Sequence, residues 1–191
     1  MEISTRDLLT VLHGMGLGGL LLLCFSGAAV ILCATLIGEH RWVPAGGPDR
    51  LLKGFFWFMA AAAWLAVLVG SYVIYPWYRA RPPAGATALE AFPQRLLMSN
   101  TATSGWHDIG MEWKEHVAWF APLCLTAVAY LFARSGPQLA AQPRLRNALF
   151  GLLAFAFFST CVAGFFGAML NKFAPVRGGG DIVLMQGEKH G

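Results

Sequence analysis

Charge is what this sequence has least of. Only 13% of its 191 residues are Asp, Glu, Lys or Arg, while 57% are hydrophobic and the mean hydropathy is +0.55. A soluble domain spends about a quarter of its residues on charge, so a water-facing surface all round is excluded. The shortage is also uneven: residues 8–38, 54–78, 117–133 and 147–171 carry no charged side chain. These runs are 31, 25, 17 and 25 residues long. About 20 apolar residues at 1.5 Å each cross a hydrocarbon layer of about 30 Å. The shortest run reaches that length when Trp113 and the stem of Lys114 extend it through the headgroup layer.

Other absences narrow the function. The four cysteines, Cys24, Cys33, Cys124 and Cys161, fall inside the apolar runs and form no CxxC or CxxCH, which excludes covalently attached haem and the usual iron–sulfur ligand sets. No Walker loop, GxGxxG after a strand, HExxH or GxSxG occurs, so nothing points to a nucleotide enzyme or a hydrolase. No basic stripe interleaves with aromatics outside the apolar runs, and no nucleic-acid partner is expected.

What is present is an all-α integral membrane pattern. A helix satisfies its own backbone in lipid, whereas a β-barrel would alternate polar and apolar residues. The opening segment 1–7 is too acidic for a signal peptide and the following run too long for a signal core, so the first run is read as a retained span. The pattern predicts a four-helix transmembrane domain over 8–171, with spans at about 8–38, 54–78, 113–133 and 147–171, a long loop 79–112 and a tail 172–191. Both termini then fall on one side. The two short loops, 39–53 and 134–146, hold Arg41, Arg50, Lys53, Arg134, Arg144 and Arg146 against Glu39 and Asp49, which is the whole net charge of +4. The positive-inside rule makes that side cytoplasmic. The expected location is a bacterial-type inner membrane, multi-pass, with periplasmic termini.

Within the long loop Leu89, Phe92 and Leu96 recur at near-helical spacing, predicting a short interfacial helix with Pro93 in its first turn. In the tail, Asp181–Met185 reads as a short strand docking on a partner. Gly14/Gly18 and Gly164/Ala168 are small-xxx-small pairs that admit a neighbouring helix or a flat ligand.

The histidines carry the functional signal. His13, His107, His116 and His190 belong to the side of the termini, and only His40 to the other. His13 and His116 sit at similar depth on two spans, and an ionisable group inside a membrane helix is a functional hypothesis by default. Two imidazoles at one depth suit axial ligation of one haem iron, with Gly14 or Gly18 leaving room for the porphyrin. Arg79, Arg81 and Lys114 are placed to pair with its propionates, and Glu112 or Glu115 to orient a ligating ring. Trp106, Trp113 and Trp119 surround the motif and suit packing on a haem edge or a quinone ring.

Two intramembrane histidines on different helices in a four-span layout resemble the small four-helix b-type cytochromes that anchor or accompany membrane redox enzymes. The resemblance covers residues 8–171. It implies one haem b on His13 and His116 near the periplasmic face, and an electron-transfer subunit rather than an enzyme on its own. Its partners would be other membrane subunits of a redox complex, with a quinol or a periplasmic electron carrier as source or sink. Such families often hold two haems on four histidines; with His40 alone on the opposite side, one haem is the expectation here.

Two other readings stay open. Glu112, Glu115 and His116 fall at i, i+3 and i+4 with His107 upstream, a set that would hold a non-haem metal at the interface. Alternatively the chain is an accessory or assembly subunit without haem, its histidines serving only as hydrogen-bonding groups between helices.

Overall fold

A computed structural model describes residues 2–37, 49–135, 138, 139, 141–175 and 181–183. His40, Arg41 and His190 lie outside the described residues. The architecture is all-α, with four helices long and apolar enough to cross a membrane: Thr5–Ala34, Arg50–Tyr78, Thr101–Ser135 and Pro143–Phe173.

Strand β1 (Glu2–Ser4) leads directly into α1, which runs from Thr5–Val11 through Leu12–Leu17 into Gly18–Ile37. Ser4 and Asp7 form a capping box: the Ser4 hydroxyl accepts from the Asp7 N–H, and the Asp7 carboxylate accepts from the Ser4 N–H at 3.1 Å. Two donors that a helix start would leave bare are thereby satisfied. Helix α2 comprises Asp49–Val69, Gly70–Ile74 and Tyr75–Tyr78. After a non-helical stretch comes the short α3, Pro93–Met98, with Pro93 at its first turn as its missing N–H allows. Helix α4 comprises Thr101–Glu112, Trp113–Val117 and Phe120–Ser135, and α5 is Pro143–Phe173.

The third long helix starts well before its charge-free run. Asn100 caps it, its side chain accepting from the Ala102 N–H at 2.9 Å. Its 35 residues would measure about 52 Å at 1.5 Å each, more than the roughly 30 Å of hydrocarbon. The polar turns holding Thr103, Ser104, His107 and Asp108 therefore have length enough to stand in the headgroup layer.

Each long helix packs on its neighbour in chain order and α5 closes on α1. This ring puts α1 and α4 across the bundle from one another. The main core lies on its axis: Leu32, Phe56, Met59, Val128, Ala129, Leu149 and Ala156 are almost fully buried. Phe56 meets Phe132 with ring centroids 4.4 Å apart. A second, smaller cluster of Leu97, Met111, Leu170 and Ala174, with Tyr75, Tyr78, Leu96 and Trp106 packed against it, closes the other end. There α3 and the first turns of α4 lie over the bundle. Gly110 lets α4 approach α5 closely, since a Cβ there would stand 3.1 Å from Phe166.

The tail strand β2 (Asp181–Val183) pairs antiparallel with β1, Ile3 opposite Ile182. The strand expected to dock on a partner is thus taken up by the chain's own N-terminal segment.

Candidate functional site

Three of the four long helices depart from α geometry in one region. Leu12–Leu17, Gly70–Ile74 and Trp113–Val117 are π-helical, and single π turns inside α-helices gather at functional sites. Two of them have a cause in sequence. Pro76 lacks the N–H that would bond the Tyr72 carbonyl, and its ring crowds that carbonyl; Pro122 does the same to Ala118. The first stretch holds no proline, but Gly14 and Gly16 weaken its α preference. At the end of the third stretch, the fully buried Ser159 of α5 donates its hydroxyl to the Val117 carbonyl at 3.0 Å, and the Trp113 indole donates to the Ser159 carbonyl at 3.3 Å.

The three stretches meet. His13 lies against Gly70: a Cβ there would stand 3.0 Å from its Cε1 and 3.3 Å from its Nε2, so only glycine gives the ring this place without something shifting. The His13 Nδ1 is buried with no hydrogen-bond partner among the described residues. Lys114, from the third stretch, is half-buried and within electrostatic reach of His13. Its Nζ would be 3.2 Å from a Cβ on Gly167 of α5. Among the described residues it has neither a carboxylate nor a hydrogen-bond partner. Two nitrogen-bearing side chains from opposite helices thus share one niche, with a glycine beside each.

Beside this niche several polar groups are engaged, although the Thr10 hydroxyl, three residues before His13, is buried without a hydrogen-bond partner among the described residues. The Tyr75 hydroxyl donates to Glu115 at 2.5 Å and accepts from Arg79 at 2.7 Å. The Arg79 guanidinium also lies over the Tyr75 ring. Tyr78 stacks on Tyr75, and its hydroxyl meets His107 Nδ1 at 2.7 Å. The second nitrogen of His107 meets Gln94 Nε2 at 3.2 Å. These bonds tie the end of α2 and the short α3 to the start of α4.

The expected site residues therefore part company. His13 is inside. His116 is 68% exposed at its side chain and turns back on its own helix, with Nδ1 3.1 Å from the Glu112 carbonyl and 3.3 Å from the 76% exposed Glu112 carboxylate. Lys114, not His116, is the residue of that turn within electrostatic reach of His13. Gly14 and Gly18 face open space, with nothing within 4 Å of an added Cβ. Arg79 is committed to Tyr75, and Arg81 is exposed. The metal set is dispersed: His107 is held by Tyr78 and Gln94, Glu115 by Tyr75, and Glu112 pairs with His116 alone. Among the described residues no three His, Cys, Asp or Glu side chains gather as a metal would require. Trp106 stacks on Phe173, Trp113 packs on Phe158 and Phe166, and Trp119 on Trp64, so all three serve helix packing.

Gly70, Gln94 and Gly167 escaped the sequence reading. The prolines at 76 and 122 were its available signal, because each unlocks a carbonyl inside an apolar run. No protein-family model matches the chain, and no curated protein or solved structure matches it.

Proposed function

We propose that this chain is an electron-transfer subunit of a larger membrane redox complex, working at the niche of His13 and Lys114. One observation carries this reading: His13 stands within the span region with its Nδ1 buried and without a hydrogen-bond partner among the described residues, and Lys114 lies within electrostatic reach of it. Such groups are costly in a membrane and are kept where they meet a ligand or move charge. A purely structural histidine would use its ring nitrogens on a neighbouring helix, as His107 does.

Haem b is one redox group that suits an imidazole at this depth. His13 would be the inner axial ligand, and the open flank of Gly14 and Gly18 gives a flat macrocycle access to it. The fit is partial, because the second expected ligand, His116, turns outward to Glu112. When bound, a low-spin haem supplies one-electron transfer. His13 would hold its iron, and Lys114 would serve as a charge partner. The accessory-subunit reading has its own support in the engaged Tyr75–Glu115 and Tyr78–His107 contacts, which need no cofactor. Pairing of β1 with β2 supports termini on one side, and the basic short loops support a cytoplasmic location for the other.

A visible spectrum of the purified protein from haem-replete cells, oxidised and reduced, tests the haem. Sharp α and β bands that vanish in His13→Ala establish it; a colourless, folded preparation removes it. Retention of the bands in His116→Ala would exclude His116 as the second ligand. Quinone extraction from the same preparation tests the redox role independently. Absence of both groups would leave the accessory subunit as the reading.

A further inference from the structure

We propose that the basic end of the bundle binds one anionic phospholipid of the membrane it spans, its phosphodiester seated in the cleft at the start of α5 against Arg144 and Arg146. The site lies at the opposite end of the bundle from His13 and does not depend on the redox reading.

Position narrows the ligand first. Arg146 directly precedes the charge-free run 147–171, Arg134 directly follows 117–133, and Lys53 directly precedes 54–78. Arg144 and Arg50 stand two and three residues further out. At 1.5 Å per residue all five lie within about 6 Å of the ends of their runs, the level of the phosphate groups of a bilayer. Because α4 and α5 pack on each other, Arg134 at the end of one comes to the side of the bundle where the other begins.

A cleft of about 420 Å³ opens there, lined by Gln142, Pro143, Arg144 and Leu145. Its donors lack partners. The N-cap Gln142 makes no capping bond, its side-chain amide donating to Gln138 at 3.2 Å, and Pro143 has no N–H to offer. The N–H groups of Arg144 and Leu145 therefore open α5 without a side-chain acceptor, where the helix dipole favours an anion. Arg146 stands four residues after Gln142 and three after Pro143, on the same face as both. Helical side chains lean toward the N-terminus, which here is toward the cleft. The Arg146 Nε is buried with no hydrogen-bond partner among the described residues, a cost that an acceptor in the cleft removes. No described carboxylate pairs with Arg134, Arg144 or Arg146.

A phosphodiester fits this set in charge and in shape, because a planar guanidinium donates to two phosphate oxygens at once. The surroundings make it a lipid's phosphate rather than a free one. Tyr130, an exposed aromatic, stands one turn before the exposed Arg134 on the same face of α4, and the exposed Phe155 lies deeper on α5. Apolar surface thus continues from the arginines along both helices, where acyl chains lie. A basic pocket of transmembrane helices above such a surface is a headgroup site.

The test uses the full-length protein purified in detergent, where the sense of insertion plays no part, and native mass spectrometry to count bound lipids. Dioleoyl phosphatidylglycerol is titrated against dioleoyl phosphatidylcholine. One phosphatidylglycerol is expected to bind at least about tenfold more tightly than phosphatidylcholine. A basic residue at a charged headgroup is worth about fivefold, so Arg144→Gln with Arg146→Gln should weaken binding about twenty-five-fold. Arg95→Gln with Lys172→Gln removes the same charge from the other end and should leave binding unchanged. Arg146→Lys keeps the number of basic residues but not the Nε–H, and should weaken binding several-fold. Equal affinity for the two lipids would overturn the proposal. So would equal losses in the two double variants, which would reduce Arg144 and Arg146 to general surface charge. Full displacement of phosphatidylglycerol by millimolar inorganic phosphate would assign the cleft to a soluble anion and overturn the proposal as well.

Discussion

At the scale of the residue, the niche depends on what is missing at position 70. An alanine methyl there would stand 3.0 Å from the His13 ring, so the ring or the helix would have to give by a few tenths of an ångström. Overpacking of this kind costs about 1–3 kcal/mol. Gly70→Ala is therefore expected to lower the detergent unfolding midpoint, whereas Gly14→Ala, with open space around it, should stay within about 0.5 kcal/mol of the parent. Equal effects of the two substitutions would mean that His13 does not lean on Gly70. A second residue-scale prediction concerns Tyr75. Removing its hydroxyl by Tyr75→Phe takes a donor from Glu115 and an acceptor from Arg79 at once. Arg79 is exposed and regains its bond from water, so the loss falls on the half-buried Glu115 and is expected at about 1 kcal/mol, while Tyr72→Phe, on an exposed ring, should be silent. Comparative thermal unfolding of the two variants reads this directly.

At the scale of the element, the π stretches decide which side chains face inward. In α4 the break at Ala118 follows from Pro122, and the Val117 carbonyl is taken by Ser159 from α5. Ser159→Ala leaves that carbonyl without its partner in the bundle interior. Interhelical hydrogen bonds in membrane proteins are worth about 0.6 kcal/mol on average and up to about 1.7. The expected loss is near the upper figure because Ser159 is fully buried; a loss indistinguishable from zero would show that Val117 finds another donor. This element also marks the boundary of what sequence could tell. The four apolar runs and Pro93 at the start of the short α3 were legible, because hydropathy and proline chemistry are local. That Lys114 rather than His116 lies within electrostatic reach of His13 was not, because it turns on the local winding of residues 113–117. A straight α-helix read from spacing alone has no means of anticipating that change. The early start of α4 at Thr101 was hidden for a different reason: its polar turns carry no apolar run, and only Gly110 and Met111 of its first twelve residues are buried.

At the scale of the whole molecule, the bundle has two unlike ends, and the difference makes its orientation testable. One end carries the engaged tyrosines, Glu115 and His107, the short α3 and the paired strands β1 and β2. The other carries the short loops with Arg50, Lys53, Arg134, Arg144 and Arg146. Cationic loops resist translocation, so the second end should remain in the cytoplasm and the first should cross. Alkaline phosphatase fused after Gly191 is accordingly expected to be active, and green fluorescent protein at the same site dark; fusions at position 140 should give the reverse. Replacing Arg134, Arg144 and Arg146 together by Gln removes three of the six basic residues of these loops and should yield mixed reporter signals. An active phosphatase at position 140 in the parent would invert the assignment. The niche would then open toward the cytoplasmic leaflet, and any electron donor or acceptor reaching His13 and Lys114 would have to be sought on that side.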